Sequence, residues 1–295
     1  MLGNIKYYVV TVVSIFLALA IGIYIGFMFD AQDIMMSQKE DIVSQLENSF
    51  NYLREETETV KKEIIRVTKE KEQLVEFNRA VYGELIKDRL SGIKIAVIET
   101  SDDYIYNNIV QTIELAGAEV VSITTIKDNF SLDLDVLDRI FKESKGVEKT
   151  EKDIVKQVID FITEGIIKGE DNGLIEILAA EGLVDYTSNY AAPVDYMVIA
   201  GGRKGKDYSR FETIDKRIID ICKKNEVPII GIEKEEVEIS YIEKYKDNRI
   251  SSVDNIDSIL GKVAFVFAID GRPGNYGVKP SAESLVPELS KDNFY

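Results

Sequence analysis

The chain has 295 residues, 45% of them apolar, with 52 acidic against 36 basic side chains and a net charge of −16. That is enough chain for one or two domains with a sizeable core, and a charge this negative repels phosphate backbones, so nucleic acid is excluded as a partner of the chain as a whole. Histidine is absent and cysteine occurs once, which excludes an internal disulfide, a Ser-His-Asp or Cys-His nucleophile, HExxH zinc chemistry and CxxC pairs. No enzyme is expected.

After a short tail, residues 1–6, the run from Tyr7 to Phe29 carries no charge. At about 1.5 Å rise per residue it crosses a ~30 Å hydrocarbon core, so residues 7–29 are expected to form a transmembrane helix in the lipid bilayer. The run is too long for the apolar region of a cleaved signal, and its only small-x-small triplet, Ala18-Leu19-Ala20, lies mid-run. Lys6 and the amino group flank its start whereas Asp30 and Asp33 flank its end. The positive-inside bias then puts residues 1–6 in the cytoplasm and the bulk of the chain outside, a single-pass topology. Ser14, Ala18, Gly22 and Gly26 share one face of the span, a spacing that lets two helix backbones approach closely, although small residues are common in membrane helices in any case.

Residues 30–90 read as a coiled-coil stalk. The stretch has no proline, and steps of four and three from Leu46 pass through Phe50, Leu53, Thr57, Val60, Ile64, Val67, Lys71, Leu74, Asn78, Val81 and Leu85. Apolar residues fill that heptad except at Thr57, Lys71 and Asn78, which share one register, position a; polar residues there favour a parallel dimer over higher oligomers. The competing reading is an amphipathic helix packed on its own domain.

Residues 91–295 are expected to form an α/β domain. Ile93–Ile98 reads as a strand, about Tyr104–Ala116 as a helix and Glu119–Thr124 as a second strand, which makes a βαβ unit and hence a parallel sheet. Val194–Ala200 and Val227–Ile232 are further strands separated by a helix from Ser209 to Asn225, and a last helix runs from about Ile256 to Ala268. The mostly helical, charged stretch of about 129–191 reads as an insertion. The fold class is thus a doubly wound, mainly parallel sheet with a helical insertion, behind a membrane helix and a stalk.

One motif in this domain suggests chemistry. Gly201-Gly202-Arg203-Lys204 leaves a strand and leads to a helix, the place where open parallel sheets bind ligands, and glycine amides with Arg203, Lys204 and Lys206 suit an anion. The pattern is neither Walker nor GxGxxG, and a structural turn needing positive φ accounts for the glycines equally. The acidic run 131–138 lacks the central glycine and late glutamate of an EF-hand loop. Cys222 falls beside Ile218 and Ile221 and reads as a buried small hydrophobe.

The tail from Asp270 to Glu288 is dense in turn formers, and composition alone makes it a loop. Its Gly274-Asn275-Tyr276-Gly277 and Ser281–Pro287, with Ser252–Asp257 upstream, resemble the carboxyl-terminal signature of the MctB-type copper transporter family, and Phe16–Gly26 resembles that family's amino-terminal motif. The resemblance implies a bacterial cell-envelope protein concerned with copper transport or homeostasis. Against it, copper prefers thiolate, thioether and imidazole, and only Met35 and Met36 stand where a dimer would present four thioethers; as apolar interface residues they need no copper. No cofactor is expected, copper being implied by the resemblance alone. Two functions therefore stay open: a copper-handling envelope component, or a dimeric scaffold that recruits or regulates an as yet unidentified envelope protein.

Overall fold

The computed structural model describes residues 3–106, 108–132, 134–145, 153–170, 173–187, 192–205 and 208–288. A single helix, α1, runs from Gly3 to Ile86, a stretch with no proline to break it. Its segment Lys6–Phe29 has a mean hydropathy of 2.5 and is, among the described residues, the one helix long and apolar enough to cross a membrane. The chain divides into two units, residues 1–75 and 76–295.

Within the first unit, the heptad residues Leu46, Phe50, Leu53, Val60, Ile64, Val67 and Leu74 are all at least half exposed. The end of α1 belongs to the second unit and behaves differently. Ile86 is fully buried, Leu85 packs against the same apolar cluster, and the Tyr82 hydroxyl shares a 2.9 Å hydrogen bond with that of Thr112. The heptad pattern therefore runs past the part of the helix that is free to pair. Leu85 continues the register, but it serves the core of its own domain.

That domain is built on a seven-stranded sheet in the order β3-β2-β1-β4-β5-β6-β7. The strands are β1 (Lys94–Glu99), β2 (Glu119–Ile126), β3 (Val184–Thr187), β4 (Tyr196–Ala200), β5 (Ile229–Ile232), β6 (Ser251–Val253) and β7 (Asn275–Tyr276). All neighbours are parallel except β3, which runs antiparallel to β2 at one edge. The chain grows from β1 outward to β2 and β3, then returns to the other side of β1 as β4 and grows away through β5, β6 and β7. Between β1 and β4 lies the switch point of a doubly wound sheet.

The central strands read as continuous apolar runs because both faces are covered. One face takes Ile95 and Val97 of β1 with the end of α1, α2 (Asn108–Leu115) and α8 (Ile259–Ile269). The other takes Ala96 and Ile98 with α3 (Leu134–Lys145), α4 (Ile154–Lys168), α5 (Leu174–Ala180), α6 (Lys216–Lys224) and α7 (Ile242–Asp247). Helix α8 is buried along nearly its whole length, Phe265 completely; truncating such a ring to alanine costs about 3–5 kcal/mol. Ser258 caps its start by accepting from the Gly261 amide at 2.9 Å.

One expectation needs correction. The tail is not a plain loop: Asn275 and Tyr276 form β7, paired to Ser252 and Val253 of a strand that turn-rich composition hides. Beside its helices the stretch 129–191 contains the edge strand β3, and in the helical run from Ser209 the residues Phe211–Asp215 are π-helical before α6 begins.

Candidate functional site

Four strands of the sheet are closed by an acid. Glu99 is the last residue of β1, Glu233 follows β5, Asp254 follows β6, and Asp128 stands two residues beyond β2. An apolar strand ending in a carboxylate puts charge at the carboxyl edge of the sheet, where open α/β folds form their crevice. Each of these acids is partnered within the domain, and together they shape that edge.

Glu233 is fully buried. It accepts from the Tyr241 amide at 2.9 Å, from the Ser240 hydroxyl and from the Lys279 ammonium. Burial pushes its carboxyl up, and Lys279 opposes that shift without cancelling it. Asp254, also fully buried, accepts from the amides of Val278 at 2.7 Å and Lys279 at 2.8 Å. Just before these amides Gly277 adopts φ +140°, and a Cβ there would run into the Asp254 carboxylate. The Asn275 side-chain oxygen Oδ1 accepts from Ser252 Oγ at 2.8 Å, and the Tyr276 hydroxyl donates to the Arg272 backbone carbonyl at 2.9 Å. The tail is thus strapped across the ends of β5 and β6 by the residues that looked like a signature.

The Gly201–Lys204 turn is tied down by the chain itself. The Lys204 amide donates to Asp103 at 2.9 Å and the Gly205 amide to Glu238 at 3.1 Å, while Arg203 and Ile239 exchange backbone bonds of 3.2 and 2.9 Å. Gly201 lies so close to Tyr245 that a Cβ would meet its hydroxyl, and Gly202 has φ +82°. Lys204 reaches over the Tyr104 ring, 5.8 Å from its centroid. Lys206 lies outside the described residues.

Arg203 instead faces a cleft of about 480 Å³ at the switch point. Its lining brings Asp128 and Ser131, which follow β2, together with Arg203 after β4 and with Ser209, Arg210 and Thr213 at the start of the helical run 209–224. Arg210 is buried and donates to the carbonyls of Thr100 at 2.7 Å and of Ile126 and Lys127 at 2.8 Å. Behind it sits Asp215, fully buried, whose Oδ1 accepts from Tyr245 at 2.8 Å and Thr100 at 3.0 Å. Its Oδ2 has no hydrogen-bond partner, and burial pushes the carboxyl up to about 7.

The soft atoms lie elsewhere. Cys222 is fully buried on α6 with its thiol pushed up to about 12 by burial, and Met197 is fully buried in β4. Met35 and Met36 are exposed on α1. Among the described residues no three carboxylate or thiol side chains converge as a metal site.

A family model described as copper transport outer membrane protein, MctB, matches residues 2–287, from before the membrane helix to the end of the strap. The chain belongs to the MctB family. At family level this makes it a copper-transport-related envelope protein of the membrane. The match spans the apolar segment Lys6–Phe29, the rest of α1, the sheet and the β6–β7 signature. A search of curated proteins finds no match. Arg210, Asp128, Asp215, Glu233 and Lys279 were not singled out by motif, and Asp254 entered only within the Ser252–Asp257 resemblance; an acid closing an apolar run is a signal for Glu99 and Glu233, and nothing in the sequence marks Arg210.

Proposed function

We propose that this MctB-family chain serves copper handling as a dimeric scaffold, anchored in the membrane by its amino-terminal helix with the head outside the cytoplasm, and that it recruits another envelope protein without itself ligating copper. The observation that carries this reading is the placement of the soft ligands: the two in the head, Cys222 and Met197, have no exposed surface, and carboxylates are poor ligands for Cu(I). An exposed apolar stripe from Leu46 to Leu74 supports pairing of two copies. One apolar helix per chain gives no polar route through lipid, so the path for copper is supplied by a partner or by the assembly. Lys6 before the span and acids after it support the outward head.

Copper tolerance in cells that lack the gene tests this. The wild-type chain and Met35→Leu/Met36→Leu should restore tolerance equally, whereas Ile64→Asp, which puts a charge into the stripe, should not. Loss of tolerance with the methionine pair alone contradicts the scaffold reading and makes Met35 and Met36 copper ligands.

A further inference from the structure

We propose that the cleft at the switch point binds a small molecule through an oxyanion, phosphate or carboxylate, held by Arg203 and Arg210. This goes beyond the scaffold reading and does not rest on it.

The geometry favours an anion in four respects. First, the cleft is lined by residues that follow the carboxyl ends of β2 and β4 and, at about 480 Å³, falls within the ~300–1,000 Å³ of small-molecule sites. Second, it brings two guanidinium groups together in a chain whose net charge is −16. Arg210 is already immobilised by three backbone carbonyls, so little side-chain freedom is lost when it binds. Third, two helices of eight or more residues begin at the cleft, the run from Ser209 and α4, whose cap Asp153 also lines it; their amino ends add positive potential. Fourth, Ser131 Oγ, also in the lining, is buried without a hydrogen-bond partner.

Two carboxylates oppose these charges, and neither cancels them. Asp153 is engaged at the start of α4, where it accepts from the Lys156 amide at 3.4 Å and pairs with the Lys156 ammonium at 2.8 Å. Asp128 lies 3.6 Å from Arg203 and 4.0 Å from Arg210, longer than hydrogen bonds, and is held by Ser101 Oγ at 3.0 Å. It balances one guanidinium of the two. This gives the proposal a sign: Asp128 weakens anion binding, so removing its charge should strengthen it.

The full-length chain in detergent, titrated calorimetrically with inorganic phosphate, citrate and, as a neutral control, sorbitol, decides the matter. Phosphate or citrate should bind saturably, sorbitol should not, and the affinity should fall as salt is raised. Arg203→Gln, at a partly exposed position, should weaken binding at least fivefold, and the isosteric Asp128→Asn should tighten it severalfold, both with melting temperatures close to wild type. If neither anion binds to the wild type, if only sorbitol binds, or if Asp128→Asn weakens anion binding, the proposal is wrong. Retained affinity in a folded Arg203→Gln variant overturns it as well.

Discussion

Burial holds the Asp215 carboxyl up to about 7, against hydrogen bonds from Tyr245 and Thr100 that favour its ionised form. In the unfolded chain the group ionises near its ordinary 3.8, so between about pH 4 and 7 the native state holds a proton that the unfolded state has lost. Stability from this group is full below about pH 4 and is lost as pH rises through about 7. Asp215→Asn removes that dependence, and the fall in melting temperature of the full chain between pH 4 and 8 should become shallower. Glu99 and Glu233, also pushed up by burial, keep part of the slope. An unchanged slope would mean that Asp215 is ionised throughout. At this scale the sequence was only half informative. The acids closing β1 and β5 stand in plain view after apolar runs, as in Pro228–Glu233, whereas Asp254 follows the mostly polar Ser251-Ser252-Val253 and the burial of Asp215 depends on Tyr241 and Tyr245, some thirty residues away. Gly277 shows the same divide: the residue is conspicuous in the tail, but its reason, the Asp254 carboxylate, appears only when β6 and β7 are paired.

Long periodic elements were legible and short ones were not. Helix α1 follows from an uncharged span, a stretch without proline and a heptad from Leu46 to Leu85, and β1, β2, β4 and β5 follow from β-branched, largely buried runs. Strands β3, β6 and β7 have two to four residues, too few for a period, and they are paired by their neighbours more than by their own composition. The stripe on α1 carries the prediction that belongs here. Lys71 occupies the a register among apolar neighbours, so Lys71→Leu should raise the melting temperature of the stalk and weaken its preference for two strands. Ile64→Asp should give a monomer. Light scattering of the full chain in detergent at tens of micromolar checks both, and a monomeric wild type would remove the seam. Because Leu85 packs on the head, changes there should act on folding instead of pairing.

At the scale of the whole molecule, order along the chain and role in the family agree: an apolar anchor, a helix with an exposed stripe and an α/β head closed by its own tail, matched as one family over residues 2–287. The copper function at family level and the ligand chemistry of the head pull in different directions, and the scaffold reading reconciles them by keeping copper off the head. The ends of the chain disclosed the family through the apolar run at one end and the β6–β7 strap at the other; the cleft stayed hidden because its arginines and acids come from segments far apart in sequence, after β2, before α4 and after β4. A competition titration of the full chain in detergent against a Cu(I) chelator, with Met35→Leu/Met36→Leu beside the wild type, tests the central claim. The double variant should bind no Cu(I) tighter than about micromolar, roughly 8 kcal/mol of affinity. Stoichiometric, tighter binding by the wild type or by that variant would place copper on the chain's own thioethers or on Cys222 and contradict the account.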